Sequence, residues 1–274
     1  MTGVRRGGGE LIRVLDPEDP RLGDYAALTD AALRKRYEHE QGVLIAEGPT
    51  PVRALVTSSY PVRSLLIAER RLSSLSDVLA RTAAPVYVVP QDVLEALVRF
   101  RLHQGVLGCG LRRPPPAIDD LLTSARTIAV LEGLGDHENL GTLFRSARAL
   151  GVDAVILGPG CADPLYRRSV RVSMGHVLHV PHARCDDAVG LLEMLHGAGF
   201  TTLALTPDPS ARPIETVTRA RGARVALLLG AEGPGLGTAT LEGAHQRVRI
   251  PMAEGVDSIN VAAAGAVAFQ AVRA

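Results

Sequence analysis

Hydrophobic positions along this chain alternate between short continuous runs and stripes at helical spacing, and the rhythm changes near residue 112. In the first part, residues 28–40 have helical spacing and residues 43–46 form a short apolar run. Residues 50–58 read as a helix, 62–68 as a strand, 72–83 as a helix, 86–89 as a strand and 91–99 as a helix, with 104–109 as a closing strand. The pattern predicts a small α/β unit over residues 11–111, preceded by a polar, glycine-rich lead-in over residues 1–10 expected to be disordered. Arg112-Arg113-Pro114-Pro115-Pro116 then supplies three consecutive prolines, which favour an extended, semi-rigid segment. Residues 112–117 are read as a linker.

Beyond the linker the alternation becomes regular. Apolar runs recur at 127–131, 154–157, 177–180, 202–205, 225–229 and 248–250, with helical patterns at 140–150, 187–198, 241–245 and 261–272. Continuous apolar strands separated by helices predict a parallel sheet covered on both faces, placing a second α/β domain over residues 118–274.

Composition adds little to this picture. At 274 residues, with 46% hydrophobic and 22% charged residues, the chain has the balance of a globular protein of one large or two medium domains. Cys109, Cys161 and Cys185 lie far apart without a CxxC pair, which argues against a zinc ribbon or a disulfide framework and suits a reducing cytoplasm. No secretory leader is visible, and no apolar run approaches the roughly 18 residues of a membrane span, so a soluble cytoplasmic protein is expected. The net charge of +1 gives no warrant for nucleic-acid binding. Lys35 is the single lysine, so 29 of the 30 basic residues are arginine. The plain reading is a genome biased towards arginine codons; the functional reading is that arginine suits bidentate phosphate contacts.

Three segments of the second domain carry candidate chemistry. The first, Asp136-His137-Glu138-Asn139-Leu140-Gly141-Thr142-Leu143-Phe144-Arg145, follows a strand and opens a helix. Asn139 reads there as an N-cap and Arg145 as a cation in the early part of the helix, beyond the carboxyl end of a strand, where open parallel sheets meet ligands. The second, Leu229-Gly230-Ala231-Glu232-Gly233-Pro234-Gly235, runs from a strand into a loop whose glycines let backbone approach a ligand. Neither a phosphate loop nor a dinucleotide fingerprint fits its spacing. The third, Ile250-Pro251-Met252 to Ser258-Ile259-Asn260-Val261, ends a strand and starts an alanine-rich helix, with Ser258 at the expected N-cap, worth roughly 1 kcal/mol. His176, His179 and His182 recur at steps of three, but no carboxylate or cysteine stands at a matching spacing, so no metal site is expected.

Taken together, the three segments resemble the three motifs of the SpoU (TrmH-like) class of the SPOUT RNA 2′-O-ribose methyltransferase superfamily, over about residues 125–274. Ser169-Val170-Arg171-Val172-Ser173-Met174-Gly175 is similar to a stretch that the family carries between its first two motifs. Residues 44–48 and 103–106 look like the start and end of its ribosomal-protein-like RNA-binding domain. The resemblance implies an α/β fold: a parallel-sheet SPOUT domain with a deep trefoil knot, preceded by that small α/β domain. It also implies a homodimer and S-adenosyl-L-methionine as cofactor, held by Leu229, Gly230, Gly235, Ile250, Met252, Ile259 and Asn260. Two positions depart from the family pattern: His137 stands where Pro is usual, and Ile259 where Leu is usual.

Transfer of a methyl group from a sulfonium to a ribose hydroxyl is an in-line displacement that needs orientation and a way to lose the hydroxyl proton, and no metal. By the resemblance Arg145 accepts that proton beside an RNA phosphate. Arginine normally stays protonated, with pKa above about 12. A cationic Arg145 stabilising the developing alkoxide is therefore an equal reading. Asn139, Glu232, Ser258 and Asn260 would orient Arg145 and the ribose. Arg99, Arg101, His103, Arg112 and Arg113 are the candidate RNA contacts of the first domain. Ribosomal RNA is the expected target, transfer RNA the second choice, and a non-catalytic RNA-binding module the rival reading.

Overall fold

The computed structural model describes residues 9–273 except 27, 30, 219 and 221, with the backbone alone for residues 31–35. The lead-in expected over residues 1–10 therefore lies, up to residue 8, outside the described residues. By internal contacts the described residues form two units, one running up to residue 113 and including 165–179, the other of residues 114–164 with those from 180 onward.

In the first unit β1 (Leu11–Arg13) precedes α1 (Ala31–Glu40) and β2 (Val43–Glu47). Then come α2 (Pro49–Thr57), β3 (Val62–Ala68), the short α3 (Ser76–Leu79), β4 (Val86–Val89), α4 (Gln91–Val98) and β5 (Val106–Leu111). The helix expected over residues 72–83 is mostly 3-10, Glu69–Leu75, with one α-helical turn after it. The five strands lie in the order β1-β4-β3-β5-β2, with β5 antiparallel to both neighbours. One face buries Leu22, Tyr25, Ile45, Leu66, Leu94 and Leu107. On the other, α2 settles over two glycines of β5. A Cβ at Gly110 would stand 2.7 Å from Leu55 Cδ1, and one at Gly108 would stand 3.0 Å from Leu55 Cδ2, so bare backbone is what admits the helix.

The second unit holds α5 (Ile118–Ser124), β6 (Thr127–Glu132), α6 (His137–Leu150) and β7 (Ala154–Leu157). After α7 (Arg167–Val172), which packs with the first unit, it continues with β8 (His182–Arg184), α8 (Ala188–Gly197), β9 (Phe200–Leu205) and β10 (Arg212–Pro213). It ends with β11 (Arg224–Gly230), α9 (Thr238–Gly243), β12 (Gln246–Arg249) and α10 (Val261–Ala271). The sheet is parallel throughout, in the order β10-β12-β9-β11-β6-β7-β8. Ile128, Val130, Ala226 and Leu228 face the core shared with Leu121 of α5 and Leu191 and Leu195 of α8. The alternate positions point to the opposite face, where α10 packs on α6. Gly265 makes that packing close, since a Cβ there would run into the Leu143 side chain.

Two expectations fail here. The apolar run 177–180 is not a strand: His176–His179 forms a 3-10 turn, and the strand is His182–Arg184. Gly175, in the left-handed region at φ 80°, brings this segment against Pro51 and Ala54 of α2. Arg167 and Arg171 fix the same segment by ion pairs to Glu47 at 2.7 and 3.4 Å. The helix expected over residues 241–245 is α9, shifted towards the N-terminus. No three potential ligands cluster to hold a metal among the described residues, and no described helix is long and apolar enough to cross a membrane.

Candidate active site

The site starts where β6 and β11 end side by side, with Glu132 opposite Gly230. Loops leaving the carboxyl ends of adjacent parallel strands begin together, and ligands bind there.

The loop after β6 leads to Asp136, whose Oδ1 accepts the backbone N–H groups of Glu138 and Asn139, each at 2.8 Å. Asp136 is thus the N-cap of α6, not Asn139 as expected. Asn139 lies a turn inside, and its side chain reaches across to the second loop. That loop folds back at once: Gly235 N–H donates to the Ala231 carbonyl at 3.0 Å, with Gly233 and Gly235 at φ 87° and 72°. A Cβ on Gly230 would run into the Gly235–Leu236 peptide.

The third loop ends in another reassigned cap. Asn260, not Ser258, caps α10: its Oδ1 accepts the N–H groups of Ala262 and Ala263 at 2.9 and 3.3 Å. Its Nδ2 donates to Glu232 Oε1 at 2.7 Å and to Asn139 Oδ1 at 2.8 Å. Asn139 Nδ2 donates to the same Glu232 oxygen at 3.3 Å, and Val261 N–H at 3.2 Å. Three loops far apart in sequence are thereby joined at one carboxylate oxygen.

Beside this cluster lies a cavity of about 640 Å³. Leu229, Gly230 and Gly235 line it from the second loop, and Ile250, Met252, Ile259 and Asn260 from the third. Glu232 and Ser258 also border it. Every residue that the resemblance assigned to the cofactor lines this cavity. Sequence reasoning missed Asp257 and the stretch Leu205-Thr206-Pro207, which border the same cavity. The signal for the latter is position alone: β9 pairs with β11, so its carboxyl end opens onto the same crevice. Arg145 is exposed on α6, outside the cavity lining, and its side chain makes no hydrogen bond or ion pair with another described residue.

In the first unit, Arg101 and His103 border a smaller cavity of about 270 Å³ together with Phe100, Gln104 and Arg171. Arg99 is exposed and ends α4 in the left-handed region at φ 62°. Arg113 is exposed, with one guanidinium nitrogen on the Ser59 carbonyl at 3.0 Å. Arg112 departs from the expected basic patch. Its guanidinium turns inward to the Val43 carbonyl at 2.8 Å and lies 4.0 Å from the fully buried Glu38 carboxylate, a charge that needs a counterion there.

Comparison with known proteins agrees with this geometry. The SpoU rRNA Methylase family profile matches residues 126–270. A protein of Mycobacterium tuberculosis described as an uncharacterized tRNA/rRNA methyltransferase is 47% identical over 263 residues, 96% of this chain and 91% of that protein. The 23S rRNA (guanosine-2′-O-)-methyltransferase RlmB of Bordetella pertussis is 31% identical over 210 residues, 75% of this chain and 84% of its own. Among solved structures, the AdoMet-bound rRNA methyltransferase of Sinorhizobium meliloti superposes with a TM-score of 0.79 at 26% identity, covering 97% of this chain and 98% of that one. By sequence and by fold, this chain belongs to the SpoU rRNA methylase family.

Proposed function

We propose that the chain is an S-adenosyl-L-methionine-dependent RNA 2′-O-ribose methyltransferase, acting on ribosomal RNA before transfer RNA. The observation that carries the reading is the meeting of Asn139, Glu232 and Asn260 beside a glycine- and aliphatic-lined cavity at the carboxyl ends of parallel strands. The cavity falls within the range of small-ligand sites, about 300–1,000 Å³. Its chemistry fits the cofactor: Leu229, Ile250, Met252 and Ile259 offer apolar contact, loop backbone offers hydrogen bonds, and Asp257 puts an anionic group beside a cationic ligand. When bound, the cofactor supplies the electrophilic methyl group.

The chain's own residues do the rest by placement. Glu232, held by three donors, fixes Asn139 and Asn260, and with them the opening between α6 and the third loop. Arg145, exposed and uncommitted to the fold, binds an RNA phosphate and stabilises charge developing on the ribose oxygen. Ser258, at the cavity edge, orients the ribose. The first unit serves as the ribosomal-protein-like RNA-binding domain, with Arg99, Arg101, His103 and Arg113 as its contacts. The domains are taken as residues 11–111, the 112–117 linker and 118–274, with the stretch 165–179 packing in the first unit.

The chain after β11 is read as the trefoil knot of the family. Val256 and Val267, 47% and 44% exposed, support a homodimer that covers them. A cytoplasmic setting follows from an RNA substrate. Mapping 2′-O-methylation in ribosomal and transfer RNA of a deletion strain tests the target: loss of one ribosomal mark is expected, and loss of a transfer-RNA mark would move the assignment.

A further inference from the structure

Glu132 neither borders the cavity nor joins the Asn139–Glu232–Asn260 cluster, yet it ties down the loop that contributes Glu232 to the cluster and glycine backbone to the cavity. It is the last residue of β6, and its main chain is in register with Gly230, where the 231–237 loop begins. Its half-buried carboxylate turns to the other end of that loop. Oε1 accepts the Gly237 N–H and Oε2 accepts the Thr240 hydroxyl, both at 2.8 Å. Clearance is small, since a Cβ at Gly237 would stand 2.8 Å from Glu132 Oε1. Thr240 is buried, so its hydroxyl would be left unsatisfied without this partner. Gly237 has no side chain to take up the N–H groups at the start of α9. Between these two fixed ends run Gly233 and Gly235, which leave the loop wide conformational freedom.

We propose that Glu132 is a positioning residue for methyl-donor binding. It anchors the exit of the 231–237 loop, so that Gly230 and Gly235 present backbone to the cavity and Glu232 reaches Asn139 and Asn260. The proposal rests on the cavity being the cofactor site.

The test is calorimetric titration of the full chain with S-adenosylhomocysteine, with melting temperatures and steady-state kinetics on RNA alongside. Glu132→Ala should weaken binding by about tenfold or more, as expected for losing two hydrogen bonds that hold a flexible loop. It should raise KM for the methyl donor while leaving KM for RNA within about twofold. Glu132→Gln should rescue binding to within about threefold, because its amide can accept from Gly237 and donate to the Thr240 oxygen. Thr240→Val removes one of the two bonds and should fall between them, which keeps the test usable if the alanine variant does not fold. Alanine and valine variants that bind like the unaltered chain would overturn the proposal. So would equal rises in both KM values, or a glutamine variant as weak as alanine. An unaltered chain that fails to bind would instead sink the cofactor reading on which the proposal stands.

Discussion

Asn260 gives its amide group to Glu232 at 2.7 Å while its own oxygen closes the first turn of α10, so one side chain both starts a helix and orients a carboxylate. The two roles separate by substitution. Asn260→Asp keeps an oxygen for the cap but sets a second carboxylate against Glu232. Its melting temperature should change little, while methyl transfer falls on the order of a hundredfold through misplacement at the site. Asn260→Ala should lose activity similarly and also about 1 kcal/mol of stability with the cap. Thermal melts beside initial rates check both.

The Arg145 side chain makes no hydrogen bond or ion pair with another described residue, so its loss should spare stability and cofactor binding. Arg145→Lys and Arg145→Ala should both lose methyl transfer by on the order of a hundredfold or more, since lysine cannot reproduce a planar, bidentate grip on phosphate. Titration with S-adenosylhomocysteine should give an unchanged Kd for each. Substantial turnover by the alanine variant would remove Arg145 from the mechanism.

Gly230 tests the wall of the cavity. A methyl group there collides with the Gly235–Leu236 peptide, so the loop must move before the side chain fits. Gly230→Ala should weaken cofactor binding by about tenfold or more, a cost above 1.4 kcal/mol. Calorimetry reads this directly, and an unchanged Kd would mean that the loop is not part of the cofactor wall.

These sites show which parts of the structure were legible in the sequence. The parallel sheet was, because 127–131, 154–157, 202–205 and 225–229 are apolar runs that burial on both faces demands. The residues that the resemblance assigned to the cofactor line one cavity, so that grouping was legible too. The helix caps were not. Asp136 and Asn139 can each cap α6, as Ser258 and Asn260 can α10, and local preference ranks such residues too closely to choose between them. Glu232 accepts hydrogen bonds from both Asn139 and Asn260, a tertiary relationship that no local window contains. The run 177–180 misleads for a related reason: four apolar residues suit a strand or a buried turn equally. Arg112 looked like part of a basic linker because its partner, Glu38, is remote in sequence.

A pair of histidines at the opposite end of β9 gives the fold a pH dependence. His196 and His245 stand 4.0 Å apart between ring centroids, with the Thr202 hydroxyl 3.0 Å from His196 Nε2 and 2.9 Å from His245 Nδ1. Burial first, and then the neighbouring His245, hold His196 below its ordinary 6.5. The unfolded chain therefore binds more protons as pH falls through 6.5, and stability declines with acidification until folded His196 is itself protonated. Melting temperatures from pH 7.5 to 5.5 should show this slope, and His196→Asn should flatten it.

The RNA contacts proposed for the first unit are tested by salt. If Arg101 meets a phosphate, Arg101→Ala should weaken RNA binding across sequences and lower the slope of log K against log salt by about one. Arg112→Ala should act differently, by destabilising the first unit around the buried Glu38. Binding isotherms at several salt concentrations, with melts, distinguish the two.

The central claim, methyl transfer to a ribose oxygen of RNA, is tested most directly by incubating the chain with methyl-labelled S-adenosyl-L-methionine and unmodified ribosomal RNA, followed by alkaline hydrolysis. A methylated 2′-oxygen cannot attack its neighbouring phosphate, so the account predicts label in alkali-stable dinucleotides, absent with Arg145→Ala. Label only in mononucleotides would place the methyl group on a base and contradict it, as would no incorporation into any RNA.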